Sequence, residues 1–241
     1  MNILSHIITH KQQGSPLLAV LIDPNKQDAY TSILPYLHEV NLIFVGGSTG
    51  QSIEPCIASI RQYTQAPIVL FPGNIAQFSP NADALLFLSL LNAHTADMLI
   101  TPHIQIAQQV IQSGIESIPM GYILIDGEHK SSVEIVSNCT PIPQHNIEKI
   151  ISTALAGQLL GKQLIYLEAG SGAKMPVSSD IISAVREQLQ IPLIVGGGIC
   201  TPEAMIRAFD AGADVVVIGN HFEQFPDEIR DFVRIKQEKY E

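Results

Sequence analysis

The sequence predicts an α/β fold, a TIM (β/α)8 barrel with its third outer helix missing. Three observations point there: eight short apolar runs, helix-length segments between most of them, and glycine-bearing turns after the last three. The runs lie at 17–22, 41–45, 67–71, 84–88, 118–125, 163–167, 192–195 and 214–218, rich in Val, Ile and Leu and bounded by Gly, Pro, Asp or Asn. Continuous apolar runs of that length suit parallel strands buried on both faces. An open doubly wound sheet is the alternative arrangement. The chain has 241 residues, 46% hydrophobic and 15% charged. That is enough for a sizeable core in one domain spanning 1–241, and it excludes a disordered chain.

The first strand ends in LIDPNK (21–26), where Pro24 keeps Asp23 out of helical geometry. A carboxylate at the carboxyl end of a barrel strand stands where active sites of this architecture sit. Asp23 there either ligates Mg²⁺, which takes one or two carboxylates plus phosphate and water, or makes a local turn. A helix is expected at 27–39. Strand two ends in VGGSTG (45–50), whose glycines free backbone donors and whose Ser48 or Thr49 adds an oxygen on the rim next to Asp23. A second helix is expected at 51–64.

After strand three comes FPGNIAQFSPNA (71–82), with Pro72, Gly73, Asn74, Pro80 and Asn81. That spacing leaves no room for a regular helix. The segment either opens a groove in the barrel wall, lined by Phe71, Ile75 and Phe78, or folds as a compact loop. Helices are expected next at 103–113 and 146–160. The connection at 126–144 between them is turn-rich and long enough for a lid or binding loop.

Strand six, YLEAGSG (166–172), sets Tyr166 and Glu168 two apart and therefore on one face. If that face is the barrel interior, Glu168 stands among the glycine turns as a base or hydroxyl acceptor; a pair with Lys174 is the alternative. Helix 179–189 starts at Ser178–Ser179 or Asp180. VGGGI (195–199) precedes Thr201-Pro202-Glu203, an N-cap with proline at the first helical position of helix 202–210. VIGN (217–220) precedes a last helix at 221–239. Turns after strands six, seven and eight, stripped of side chains, form a pocket for a phosphate.

Charge narrows the partners. With 13 Lys and Arg against 23 Asp and Glu, the net charge is −10, and no basic cluster suggests nucleic acid. An anionic ligand must then be held by backbone dipoles, a few cations or a metal. Cys56, Cys139 and Cys200 lie far apart without CxxC spacing, so neither a disulfide frame nor a zinc site is expected. His10, His38, His94, His103, His129, His145 and His221 are scattered and expected mostly at the surface. The N-terminal segment is too polar for a signal peptide and no run reaches membrane-span length, so a cytoplasmic protein is expected. Without an amphipathic basic helix, contact with a membrane surface would be transient at most.

Together LIDPNK, VGGSTG, LFPGN, SLLN (89–92), YILIDGEHKSSVEIVSNCTPIP (122–143), YLEAGSG, VGGGICTPEA and AGADVVVIGN resemble the geranylgeranylglyceryl phosphate synthase family, which includes bacterial heptaprenylglyceryl phosphate synthases. The match runs in order from about residue 17 to 221. VGGGI and AGADVVVIGN occur in many phosphate-binding barrels, whereas DPNK, GGST and YLEAGSG are much more specific. The resemblance implies Mg²⁺-dependent transfer of a prenyl group from its diphosphate to the 3-hydroxyl of sn-glycerol 1-phosphate. It implies Asp23 and Ser48 as Mg²⁺ ligands and Glu168 as acceptor of the hydroxyl proton. Tyr166, Leu167, Glu168, Ala169, Gly170, Ser171, Gly172, Gly196, Gly197, Gly198, Gly219 and Asn220 would hold glycerol phosphate. Some members carry Lys two residues before the metal-binding Asp, where this chain has Leu21, so the phosphate cation would come from Lys26 or Lys174. That form resembles the family's second branch, which tends to form dimers or hexamers. The expected donor is the C20 geranylgeranyl diphosphate, with a heptaprenyl donor as the near alternative. A sugar-phosphate isomerase or aldolase and a non-catalytic phosphate binder are the rival readings.

Overall fold

In the computed structural model, which describes residues 2–47 and 52–241 apart from the side chains of Ile75, Asp97 and Met98, eight parallel strands close into a barrel in sequence order. They are β1 (Leu17–Ile22), β2 (Leu42–Val45), β3 (Ile68–Leu70), β4 (Ala84–Leu90), β5 (Glu116–Leu124), β6 (Leu164–Glu168), β7 (Leu193–Gly196) and β8 (Val215–Ile218). Closure is made where Leu17–Val20 of β1 pairs with Val215–Ile218 of β8. This excludes the open doubly wound sheet.

The helices, in chain order, are α1 (Ile3–Gln13), α2 (Gln27–Ile33), α3 (Glu54–Ile60), α4 (Ala96–Leu99), α5 (Thr101–Ser113), α6 (Ser132–Ser137), α7 (Ile147–Leu159), α8 (Ser179–Gln188), α9 (Pro202–Asp210), α10 (Asn220–Gln224) and α11 (Ile229–Tyr240). Between β3 and β4 stands only a 3-10 turn, Ile75–Gln77, so the third outer helix is missing as expected. Two expected helices are broken. Residues 34–39 continue α2 as a 3-10 helix, with Pro35 near its start, and Pro226 begins a 3-10 turn that separates α10 from α11. Proline removes a backbone donor and crowds the preceding turn, which accounts for both breaks. The connection at 126–144, long enough for a lid or binding loop, carries α6, and an isolated bridge joins Ile125 to Ile142.

Period-two alternation divides the core into two layers. Inward residues such as Leu17, Ala19, Phe44, Leu86, Met120, Tyr122, Tyr166, Ile194 and Val217 fill the barrel. Outward residues such as Leu18, Val20, Ile43, Ile123, Leu167, Val195 and Val216 pack under the helices. Helix α1, which the polar N-terminal segment had not suggested, adds Ile3 and Ile7 to the inner cluster. Its first backbone donors, Ile3 N–H and Leu4 N–H, bind the Glu116 carboxylate at 2.5 and 2.9 Å. Glu116 starts β5, so the helix seals the amino-terminal mouth with an acid on its positive end.

Two further acids stitch strand starts. Asp83 binds Arg61 at 2.6 Å and the Ile68 N–H at 2.7 Å. Asp214 binds Arg186 at 3.0 Å and the Leu193 N–H at 2.8 Å. These contacts hold the amino-terminal face, the stability side of such barrels. An open concavity of about 620 Å³ on that face is lined by His6, His38, Arg61 and Tyr63, among others, and contains none of the expected site residues.

Candidate active site

At the opposite face, alternation along β6 turns both Tyr166 and Glu168 inward, 1% and 7% exposed. The Gly170 N–H donates to Glu168 Oε1 at 2.7 Å, and the Tyr166 hydroxyl hydrogen-bonds the same carboxylate. Burial pushes the Glu168 carboxyl above the ordinary carboxylate range, and these two bonds pull it partly back. Glu168 forms no ion pair among the described residues; Lys174 is exposed and only its backbone N–H is bonded, to the Gly127 carbonyl at 2.9 Å. An inward acid without a counter-charge is suited to accepting a proton.

Glycines make room for this pair. A Cβ on Gly196 would collide with the Tyr166 hydroxyl, and one on Gly197, at φ +83°, would collide with Glu168 Oε1. Ser171 is exposed beside them and Gly172 lies against the His129 ring. Gly198 packs on Ala173 and Pro176. Leu167 and Ala169 turn their side chains into the outer layer, and the Ala169 N–H is bonded to the Gly196 carbonyl at 3.0 Å. Tyr166 stacks on Phe71 at 5.4 Å between ring centroids and meets Tyr122 edge-on at 5.3 Å. Phe71 is therefore part of the aromatic top of the barrel interior rather than a groove wall. Phe78 packs against the outer layer, and the Ile75 side chain lies outside the described residues.

Across the rim, Asp23 follows β1. Its Oδ1 accepts the Asn25 backbone N–H at 3.0 Å and side-chain Nδ2 at 2.8 Å, the local turn that the sequence allowed. Its carboxylate also lies against the Gly47 backbone, where a Cβ would come within 2.5 Å of Oδ1. Buried Gln77 holds this neighbourhood by accepting from Gly73 N–H at 2.9 Å and Gly47 N–H at 3.3 Å. Ser48 lies outside the described residues. A carboxylate supplies the hard oxygen that Mg²⁺ takes, and local bonds to Oδ1 leave lone pairs for a cation. No group of three or more His, Cys, Asp or Glu able to hold a metal occurs among the described residues. Asp23 is thus a single hard-oxygen donor of the kind that Mg²⁺ takes.

Asn220 joins the two halves. Its Nδ2 donates to Ser171 Oγ at 2.7 Å, and its Oδ1 accepts from Lys26 Nζ at 3.2 Å. Lys26 also pairs with Glu223 at 2.7 Å. The turns after β1, β6 and β8 are thereby linked side chain to side chain. Leu21 occupies the place of the family lysine and lies against Gly219.

The segment at 126–144 backs the glycine turn. Ser131, 2% exposed, fills the space beside Gly170, and Gln144 Nε2 donates to the Asp126 and Pro176 carbonyls, each at 3.1 Å. Sequence reasoning missed Gln77, Asn25, Tyr122 and Glu223. Gln77 and Asn25 lay inside flagged segments, but no local signal marks a glutamine or asparagine as a brace. Of the seven histidines expected mostly at the surface, His38, His94, His129 and His145 are exposed, while His103 is buried against Phe87 at 4.2 Å.

The description "PcrB family" fits residues 10–236. A geranylgeranylglyceryl phosphate synthase of Zunongwangia profunda is 47% identical over 226 residues, covering 92% of this chain and 97% of that protein. One from Flavobacterium johnsoniae is 44% identical over 224 residues, covering 90% and 92%. The crystal structure of (S)-3-O-geranylgeranylglyceryl phosphate synthase from Thermoplasma acidophilum, in complex with sn-glycerol 1-phosphate, superposes with a TM-score of 0.90. It is 31% identical and covers 99% of each chain. With a buried acid among glycine turns, and relatives matched over nearly its whole length, the chain belongs to the PcrB family, alongside the geranylgeranylglyceryl phosphate synthases.

Proposed function

We infer that this chain is a prenyltransferase that joins geranylgeranyl diphosphate to the 3-hydroxyl of sn-glycerol 1-phosphate, forming an ether bond and releasing diphosphate. The observation that carries the reading is Glu168, buried, without an ion-pair partner among the described residues, and bonded to Gly170 and Tyr166 inside the glycine turns. The names of its relatives and the glycerol phosphate bound by the Thermoplasma acidophilum enzyme support the same substrates.

In this reading the glycine turns at 170–172, 196–198 and 219–220 surround the glycerol phosphate and present backbone N–H groups to it, apart from the Gly170 N–H, which is bonded to Glu168. Glu168 accepts the proton of the 3-hydroxyl as that oxygen attacks C1 of the prenyl chain, and the C–O bond to diphosphate breaks. Burial raises the Glu168 pKa, which makes it a stronger base than an exposed carboxylate. Tyr166 holds the carboxylate from inside the barrel and fixes its orientation. Asp23, with Ser48, would hold Mg²⁺, which neutralises the charge of the leaving diphosphate. The wall left without a helix after β3 borders the prenyl tail. Ile104 and Ile111 are exposed on one side of α5, as is Ile100 just before it, which supports a homo-oligomer. No helix among the described residues is long and apolar enough to cross a membrane.

Incubating the protein with Mg²⁺, radiolabelled sn-glycerol 1-phosphate and prenyl diphosphates of several lengths tests the reading. An ether product with the C20 donor is expected. No product with any donor would overturn it.

A further inference from the structure

Lys26, Glu223, Asn220 and Ser171 form a chain of contacts whose direction follows from the chemistry of its first member. An ammonium group only donates. The Asn220 atom 3.2 Å from Lys26 Nζ is therefore the carbonyl oxygen, and the amide nitrogen must face Ser171 Oγ at 2.7 Å. Ser171 Oγ, having accepted that bond, keeps its own O–H to donate. Read outward, the chain runs from ammonium to amide to hydroxyl and ends in a donor at the glycine turn. Glu223 is the second element: its side chain is 10% exposed and its carboxylate is 2.7 Å from Lys26 Nζ. Without that cation it would be an unpaired negative charge beside an anion site.

Resting on the glycerol phosphate reading, we propose that Lys26 is a positioning residue for the phosphate, acting through Asn220 and Glu223. It sets the amide of Asn220 so that the arm through Ser171 ends in a donor toward the anion, and it offsets the charge of the Glu223 carboxylate. Lys26 thereby takes over, indirectly, the electrostatic task left by Leu21. Lys174 has no such place: it is exposed and its side chain makes no hydrogen bond or ion pair among the described residues.

The test uses the intact enzyme with three variants: Lys26→Met, Lys26→Arg and the double variant Lys26→Met with Glu223→Gln. Steady-state kinetics and calorimetric titration with sn-glycerol 1-phosphate, and separately with inorganic phosphate, are measured for each. Lys26→Met is expected to raise the KM and Kd for glycerol phosphate roughly tenfold, about the effect of one lost charge-assisted contact. Its kcat at saturation should stay within about twofold, because the reacting atoms are untouched. Arginine should restore the affinity. The double variant should bind more tightly than Lys26→Met alone, since the unpaired carboxylate is gone. Unchanged affinity in Lys26→Met, a loss confined to kcat, or a double variant no tighter than the single would overturn the proposal. If the wild type binds inorganic phosphate but not glycerol phosphate, the substrate reading fails. The positioning role then still stands or falls on the phosphate titrations.

Discussion

Replacing Gly197 by alanine adds one methyl group at the most crowded point of the site. Gly197 has φ +83°, a conformation that costs an L-residue about 1–2 kcal/mol. The new Cβ would also come within 2.7 Å of Gly170 N and 2.9 Å of its carbonyl oxygen, besides striking Glu168 Oε1. Gly170 cannot withdraw freely, because its N–H holds Glu168 and its carbonyl accepts Ala173 N–H at 3.1 Å. Relief therefore breaks the bond between Gly170 and Glu168, a hydrogen bond to a charged group worth about 1.5–3 kcal/mol. The sum is about 2.5–5 kcal/mol, or a melting point lower by roughly 5–20 °C for a chain of this size. Gly161 serves as the control, with φ +84° and nothing within 4 Å of a built Cβ. Gly161→Ala should lose only about 1–2 kcal/mol and keep its kcat/KM. Gly197→Ala should in addition lose on the order of 100-fold in kcat/KM, as expected when a catalytic group is displaced by about an ångström. Thermal melts and steady-state kinetics of both variants decide. Equal melting losses together with wild-type kcat/KM in Gly197→Ala would refute the packing of this turn against Glu168.

Other outcomes follow from the same geometry. Glu168→Gln should lower kcat by roughly 10²–10⁴ while calorimetry shows glycerol phosphate still binding; unchanged turnover removes Glu168 as the base. Because the folded chain holds the Glu168 proton more tightly than the unfolded chain does, this group favours the fold below the ordinary carboxylate range. That contribution is lost as pH rises through the folded value. Glu168→Gln should then gain stability relative to wild type as pH rises, as melts across pH 4–8 would show. Tyr166→Phe removes a bond that lowers the Glu168 pKa, so the acid limb of the kcat/KM profile should move to higher pH. An unmoved limb would place the titrating group elsewhere. Chelation with EDTA should abolish turnover and Mg²⁺ restore it, and Asp23→Asn should raise the Mg²⁺ concentration needed for half-maximal rate.

Much of the barrel was legible because buried parallel strands must be apolar on both faces, which leaves unbroken runs such as LLAVLI and DVVVI. The missing third helix was legible as well, since Pro72, Gly73 and Pro80 crowd a 12-residue connection. Helix α1 was not, because it buries only Ile3 and Ile7 fully and its first turn is held by Glu116, more than a hundred residues away. The breaks at Pro35 and Pro226 carry local signals that helical periodicity outweighed.

By itself the sequence determined the order of strands, the glycine turns and the pairing of Tyr166 with Glu168 on one face, since alternation and backbone freedom are local properties. Closure of the sheet was decided only by β8 meeting β1, because the same apolar runs would serve an open sheet. The tertiary structure likewise decided that Glu168 has no ion-pair partner among the described residues, that Phe71 stacks inside the barrel, and that Lys26 reaches Asn220. Lys26 and Asn220 are 194 positions apart, and Phe71 follows β3 whereas Tyr166 lies in β6. Contacts between distant segments leave no mark on the spacing of either one.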